Sequence, residues 1–142
     1  MNCYLTKSNP KIWETLDYLK ALDRNVPDWW SDVCKDAEPG DILFVGIAGK
    51  DAGIYAKATV ISRPRWDTPD REFYVNPKDI KERLGADIDA DSFRNLVLEH
   101  QPILEARLTE IPELRRVSKW LHVQGARCRL TEDEAEALNA LI

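Results

Sequence analysis

The stretch Ile42-Leu43-Phe44-Val45-Gly46-Ile47, followed by Ala48-Gly49-Lys50-Asp51-Ala52-Gly53 and then Ile54-Tyr55-Ala56-Lys57-Ala58-Thr59-Val60-Ile61-Ser62, decides the fold class. Its first six residues are almost continuously apolar, the pattern of a strand buried on both faces. In the last nine, β-branched and aromatic residues alternate with small or polar ones, as on a half-buried strand. The glycine-bearing connection between them makes a hairpin, and this pair is read as the centre of the molecule. Glu38-Pro39-Gly40-Asp41 has the composition of the turn leading into it.

Upstream, Cys3 to Thr6 read as a short opening strand. Ser8-Asn9-Pro10 supply a cap and a proline for a helix carrying Ile12, Leu16 and Leu19, with Trp13 beside them, which ends at the polar segment Asp23-Arg24-Asn25-Val26-Pro27. Downstream, Pro64 and Pro69 bound an irregular loop carrying Trp66, and Glu72 to Val75 allow a short strand. A helix with Phe93, Leu96 and Val97 on one face follows Asp91. Pro102 limits it, unless a new helix begins there with Ile103, Leu104 and Leu108. Pro112 opens a further short turn, Trp120 to Val123 read as a closing strand, and Gln124-Gly125-Ala126 as its turn. Thr131-Glu132-Asp133-Glu134 forms a capping box for a final helix carrying Ala135, Leu138 and Leu141. No pair of parallel strands with a clear crossover helix is visible. The expectation is therefore one α+β domain over residues 1–142, a mostly antiparallel sheet or small barrel.

At 142 residues the chain is long enough for a core without disulfide or metal staples. Its 20 basic and 25 acidic side chains give a net charge of −5, which argues against a surface that tracks nucleic acid everywhere and leaves room for a local basic face. Such a concentration runs from Arg107 through Arg115, Arg116, Lys119 and Arg127 to Arg129, ahead of the acidic Glu132 to Glu136. Three dispersed cysteines, Cys3, Cys34 and Cys128, fit a reducing compartment, and no apolar run reaches the length of a membrane span. A cytoplasmic protein is expected.

Catalytic signatures are missing. There is no Walker loop, no Rossmann glycine fingerprint and no GxSxG, and His100 and His122 lack ligand partners at metal spacing. Carboxylate pairs such as Asp67 with Asp70 have the composition of solvated loops. These absences point to a binding module without cofactor or metal. The distinctive feature is five tryptophans, with Trp29 and Trp30 adjacent. Adjacent residues rarely face one core, so one ring is expected at a rim or in a pocket, where a flat π-face can stack on a base.

In order and spacing, several of these pieces together resemble the EVE domain, a branch of the PUA-like superfamily related to the YTH methyl-base readers. They are Tyr4-Leu5, Trp30-Ser31, Pro39-Gly40-Asp41, the strand to Gly49, Ala52-Gly53-Ile54-Tyr55-Ala56, Pro102-Ile103-Leu104, Pro112-Glu113-Leu114, Gln124-Gly125 and Leu130-Thr131-Glu132-Asp133-Glu134. The resemblance implies a small, strongly curved β-barrel flanked by helices, with a concave aromatic pocket for a nucleobase rotated out of the helix. It also implies service as the specificity module of a modification-dependent restriction system. Such a module would recognise modified cytosine in DNA, with a nuclease or AAA+ effector acting in trans. The alternatives are an RNA-binding PUA-like domain and a small-ligand or protein-interaction domain that has lost nucleic-acid contact.

Carried over by position, the expected base pocket comprises Trp29, Trp30, Ser31, Asp41, Gly46, Gly53, Ile54, Tyr55 and Trp66. Within it, Trp30 is read as a solvent-reachable stacking ring, and Ser31, the backbone near Ile54 and Tyr55, and Asp41 as selectors for the amine of cytosine. Gly46 stands where the family often has an aromatic residue, which implies a wider pocket and tolerance of a bulkier 5-substituent than methyl. The nucleic-acid backbone is expected against Arg63, Arg65, Gln124, Gly125, Arg127 and Arg129.

Overall fold

The computed structural model describes residues 1–22 and 26–142. The polar segment expected to end the first helix falls partly on residues 23–25, outside the described residues. The central hairpin forms as expected. Strands β3 (Ile42–Ile47) and β4 (Gly53–Thr59) pair antiparallel around a one-turn 3-10 connection at Gly49–Asp51. Between Val45 and Gly46 the register slips by one, so Tyr55 is the extra residue of a bulge. Tyr55 and Ala56 both join the same core as a result, while Ile54 joins the other.

Strand β1 (Cys3–Ser8) lies beside β3 in parallel register, Cys3 opposite Ile42 and Ser8 opposite Ile47. The sheet is mostly antiparallel as expected, and this one parallel pair was not visible in the sequence because β1 and β3 are separated by α1 (Thr15–Ala21) and by β2 (Trp29–Ser31), which joins a different sheet. On its other edge β1 pairs antiparallel with β9 (Arg127–Arg129). Three short strands, β5 (Arg65–Asp67), β6 (Arg83–Asp87) and β7 (Arg94–Asn95), and a fourth, β8 (Ile103–Leu104), complete the strand set. The order in the large sheet is β7-β4-β3-β1-β9, with β8 also on β4, and β2-β6-β5 form the smaller sheet.

The two sheets are stitched at one corner. Val60 bridges Ile88, the Ile61 amide donates to the Asp87 carbonyl at 2.9 Å, and the Asp89 amide donates to Thr59 at 2.9 Å. They fold over a shared core that includes Tyr4, Leu43, Val45, Tyr55, Ala56 and Val60 from the large sheet and Trp30, Ala86 and Ile88 from the small one. The outcome is a mixed α+β architecture of two sheets over one core, with no continuous ladder closing a barrel among the described residues.

The opposite face of the large sheet, with Leu5, Phe44 and Ile54, packs against helices α2 (Glu105–Thr109), α3 (Arg115–Trp120) and α4 (Glu132–Asn139). The capping box of α4 forms as read: the Thr131 side chain accepts from the Glu134 amide at 3.2 Å, and Glu134 accepts from the Thr131 amide at 2.8 Å.

Elsewhere the local readings change. Trp120 to Val123 are the end of α3 and the turn after it, and the closing strand is Arg127–Arg129. Trp66 sits on a strand, not in an irregular loop. Arg71–Phe73 form a 3-10 turn where a strand was expected, and Phe93 to Val97 contain β7 and turns instead of a helix. Helix α1 begins at Thr15, because Asn9-Pro10 form a turn of their own in which the Asn9 carbonyl accepts from the Ile12 and Trp13 amides. Among the described residues no helix is long and apolar enough to cross a membrane.

Candidate functional site

The C-terminal end of β1 opens onto three connected concavities. The first, about 420 Å³, has the rings of Trp13, Tyr18, Trp29 and Trp30 in its wall, Ser31 within it, and Asp28, Asp67 and Asp70 exposed at its rim. The second is a recess of about 60 Å³ that shares Trp13, Ser31 and Pro69 with the first and adds Lys7, Ser8, Asn9, Asp32, Tyr74 and Arg83. The third, a groove of about 760 Å³, shares Lys7, Ser8 and Asn9 with the recess and is walled by the hairpin tip at Ala48–Lys50 and the segment Leu121–Ala126.

Each lining group is held by local geometry. The Asn9 side chain accepts from the Lys11 amide at 3.0 Å, fixing the turn that delivers Trp13. The Trp13 indole N–H then donates to the Asp70 carbonyl at 3.0 Å, tying the ring to the segment beyond β5. Ser31 is the last residue of β2. Behind it Asp32 takes the left-handed conformation (φ 62), where an aspartate is tolerated better than a bulky residue. The amides of Asp32 and Val33 both donate to the Leu84 carbonyl, at 2.7 and 3.2 Å, and the Asp32 carboxylate accepts from Arg83 Nε at 2.8 Å. This turn fixes where Ser31 sits. Ser8 is held in turn by a hydroxyl contact with the buried Thr15.

The aromatic wall is one interlocked cluster. Trp30 meets Trp13 edge-on at 6.4 Å and Tyr18 at 5.7 Å between ring centroids, and lies 6.2 Å from Phe93 at a tilt of 31°. It is 7% exposed, so it is a core anchor that contributes to the cavity wall, not the solvent-reachable stacking ring expected. Trp13, only half-buried, is the more accessible ring. Burial, and then the carboxylates of Asp70 and Asp28, push the Tyr18 phenol up to about 12, so it is a neutral hydrogen-bonding group at physiological pH.

Other expected pocket residues lie elsewhere. Asp41 is buried at the far end of β3, where its carboxylate accepts from the Asn2 amide at 3.0 Å and the Glu38 amide at 2.9 Å. Both oxygens are thus occupied in fastening the turn to β1. Gly46 faces the helical layer: a Cβ there would lie 3.1 Å from Leu121 Cδ2. Gly46 therefore does not widen the aromatic cavity, contrary to expectation.

Gly53 is pressed against β8, where a Cβ would come within 2.7 Å of the Ile103 carbonyl, and Ile54 is buried under the helices. Tyr55 is buried and donates its hydroxyl to the Asp51 carbonyl at 2.6 Å. Trp66 is 65% exposed, opposite Leu84, and lines neither the aromatic cavity nor the recess. Trp29 does line the cavity, with its ring laid over Gly85, where any Cβ would fall 2.3 Å from Cζ2. Its buried indole N–H has no acceptor among the described residues.

The expected phosphate-facing residues do not form one face. Arg63 pairs with Glu38 at 3.4 Å, and Arg65 donates to both Asp67 and Asp87. Arg129 sits opposite Tyr4 near the start of β1 and donates to Asn2, whereas Arg127 lies opposite Thr6, nearer the open end. Gln124 and Gly125, by contrast, line the groove directly beside Lys7, Ser8 and Asn9. Sequence reasoning missed Ser8, Asn9 and Trp13 as site residues because the cap-then-helix reading absorbed them. The Asn-Pro pair ahead of a tryptophan was the signal for a turn that projects a ring.

Burial pushes the thiols of Cys3, Cys34 and Cys128 up, the opposite of what an activated nucleophile needs. Among the described residues no group of three or more His, Cys, Asp or Glu could hold a metal ion. The chemistry this arrangement supports is stacking and hydrogen bonding of a flat, polar-edged group.

No protein-family model matches the sequence, and no curated protein matches it. Solved structures do match. The human THYN1 protein, solved in complex with 5-methylcytosine containing DNA, is similar with a TM-score of 0.62 and 16% identity, over 99% of this chain and 97% of that one. The DUF55 domain of human thymocyte nuclear protein 1 gives 0.57 and 17%, over 97% and 96%. Rpa0253 from Rhodopseudomonas palustris gives 0.59 and 19%, over 99% and 92%. The fold is thus the one these structures share, that of the DUF55 domain, and it agrees with the fold that the resemblance drawn from the sequence implies.

Proposed function

We propose that this chain is a DNA-binding module that takes up a modified cytosine rotated out of the duplex. The observation that carries the reading is the aromatic cavity joined to a small polar recess, in a fold shared along its length with a protein solved on 5-methylcytosine containing DNA. A volume of about 420 Å³ falls in the range of small-molecule sites. Rotating a base out costs a few kcal/mol, and stacking on an aromatic ring returns about 1 to 3 kcal/mol. Trp13 supplies that ring, and Trp30 braces it from behind. Ser8, Asn9 and Ser31 offer the donors and acceptors that select a base edge.

In this reading the module supplies specificity to a modification-dependent restriction system, with a nuclease or AAA+ effector acting in trans. The net charge of −5 fits weak intrinsic affinity that such a partner raises by tethering. The test is a panel of otherwise identical duplexes carrying cytosine, 5-methylcytosine, 5-hydroxymethylcytosine or its glucosylated form, with single-stranded RNA as competitor. A preference for a modified duplex supports the reading. Equal affinity for all four, or displacement by unmodified RNA, overturns it.

A further inference from the structure

The connected concavities are segregated in charge. The aromatic cavity has three aspartates in its lining and no lysine or arginine among the described residues, whereas the groove has Lys7, Lys11 and Lys50 and no carboxylate. The segment Leu121–Ala126 that walls the groove is also oriented in one sense. Lys7 is buried, and its ammonium donates to the Trp120 and Val123 carbonyls at 2.5 Å each while lying 4.0 Å from the centroid of the Trp120 ring. The Ala126 carbonyl accepts from the Lys7 amide at 2.8 Å and from the Thr6 hydroxyl at 3.3 Å. Two carbonyls of the segment, and that of Trp120 just before it, thereby accept from β1.

Gln124 and Gly125 are exposed residues whose amides have no acceptor among the described residues, and Gly125 has a positive φ of 130°. Across the groove the exposed Lys50 rides on the hairpin tip, which is tied to β1 by the Ala48 amide donating to the Ser8 carbonyl at 3.0 Å. His122 is engaged with Glu105 at 2.6 Å. Backbone donors without acceptors, backed by lysines, in a concavity lined by no carboxylate, have the makings of an anion site.

We infer that the loop 122–126, held by Lys7 and faced by Lys11 and Lys50, is a phosphate-binding loop that grips a phosphodiester next to the extruded base. This rests on the DNA-binding reading above and deepens it. It assigns the backbone contact to the groove, away from Arg63, Arg65 and Arg129. Lys7 is a positioning residue here: it orders the loop and does not meet the phosphate.

The test is the salt dependence of binding to a duplex bearing one 5-methylcytosine, read for the natural sequence and for Lys11→Gln, Lys50→Gln, Arg63→Gln and Arg129→Gln. The slope of log K against log salt is expected to fall by about one unit in each lysine variant and to stay put in the arginine variants. Flattening in the arginine variants with none in the lysine variants overturns the inference. Amide spectra of the full chain provide a second reading, in which the Gln124 and Gly125 signals move with the duplex and with inorganic phosphate. Movement with neither overturns the loop assignment, and movement with phosphate alone overturns the phosphodiester. In Lys7→Met the phosphate-induced shifts are expected to vanish, and their persistence would overturn the part given to Lys7.

The two readings separate cleanly. Equal affinity for methylated and plain duplexes with a lysine-dependent slope sinks the modified-base reading alone. A methyl preference with a lysine-independent slope sinks the phosphate loop alone, and no binding to either duplex sinks both.

Discussion

The two faces of the large sheet are packed with different chemistry. Toward the helices the core is aliphatic: apart from Phe44, its fully buried large side chains are Leu5, Ile54, Leu96, Leu108, Leu114, Leu121 and Leu138. Toward the small sheet rings join the aliphatic chains, with Tyr4, Trp30 and Tyr55 buried beside Leu43, Val45 and Ile47, and Tyr18 and Phe93 packed against them. Branched aliphatic chains interdigitate and fill space, whereas rigid rings meet edge-on and leave gaps at the margin of the cluster. The cavity lies on the aromatic side for that reason. One face is packed throughout, and the other combines packing with an open cavity.

The sharpest test of that contrast is a pair of truncations. Leu114→Ala should cost about 2 to 5 kcal/mol of stability, and Trp30→Ala about 3 to 5 kcal/mol, both measured by denaturant unfolding. Only Trp30→Ala should also weaken duplex binding when affinity is expressed per folded molecule. If Leu114→Ala weakens binding as much, the division of labour between the faces is wrong.

Trp13→Ala should reverse the balance, losing about 1 to 3 kcal/mol of binding to a modified duplex with a smaller loss of stability, because the ring is half-buried and faces the cavity. Calorimetric titration beside thermal unfolding reads both quantities; a variant that loses stability alone would return Trp13 to the core.

A subtler probe is alkaline titration. Tyr18 has its phenol raised from 10.0 to about 12, so the unfolded chain gives up that proton first, and its contribution to stability is whole below pH 10 and lost as pH rises toward 12. Across that window the loss is about 1.4 kcal/mol per pH unit at most. Tyr18→Phe should flatten the stability curve there by one proton's worth. An unchanged slope would place the phenol in water.

Smallest in its effect on binding, Gly46→Ala should cost about 1 to 3 kcal/mol of stability, through its contacts with Leu121 and the Gly53 and Thr6 carbonyls, and leave discrimination among modified cytosines untouched. A changed preference would put Gly46 back in the pocket.

The parts of this architecture that were readable in the sequence are those whose local signals agree with their tertiary role. The apolar run of β3, the alternation of β4 and the capping box of α4 belong to that group. Strand β6 was not readable, because Arg83-Leu84-Gly85-Ala86-Asp87 carries charges at both ends and a glycine where the Trp29 ring needs bare backbone. Strand β9 reads as Arg-Cys-Arg, and only its pairing with β1 makes it extended. Trp120 to Val123 look like a strand by composition but end a helix, since Trp120 packs over a lysine that no local pattern announces.

Of the residues expected at the site, Trp29, Trp30, Ser31, Gln124 and Gly125 line the concavities, whereas Asp41, Gly46, Gly53, Ile54 and Tyr55 are built into the scaffold. A buried carboxylate bonded to two backbone amides and a glycine against a leucine look, as letters, the same as a pocket residue.

The pairing of β1 with β9 also bears on how the chain reaches this state. Thr6 and Arg127 are partners, and the Thr6 hydroxyl bonds a carbonyl 120 residues away. The strand carrying Lys7 and Ser8 therefore stays half-paired until residues 127–129 have been made, and closing so large a loop has an entropic cost before any contact returns it. Folding is expected in the slower, millisecond-to-second range of sheet-rich domains, with β1 and β3 assembled first and β9 docking last. On this schedule the groove beside Ser8 is the last concavity to take shape, so a nascent chain forms it only when the scaffold around it is complete.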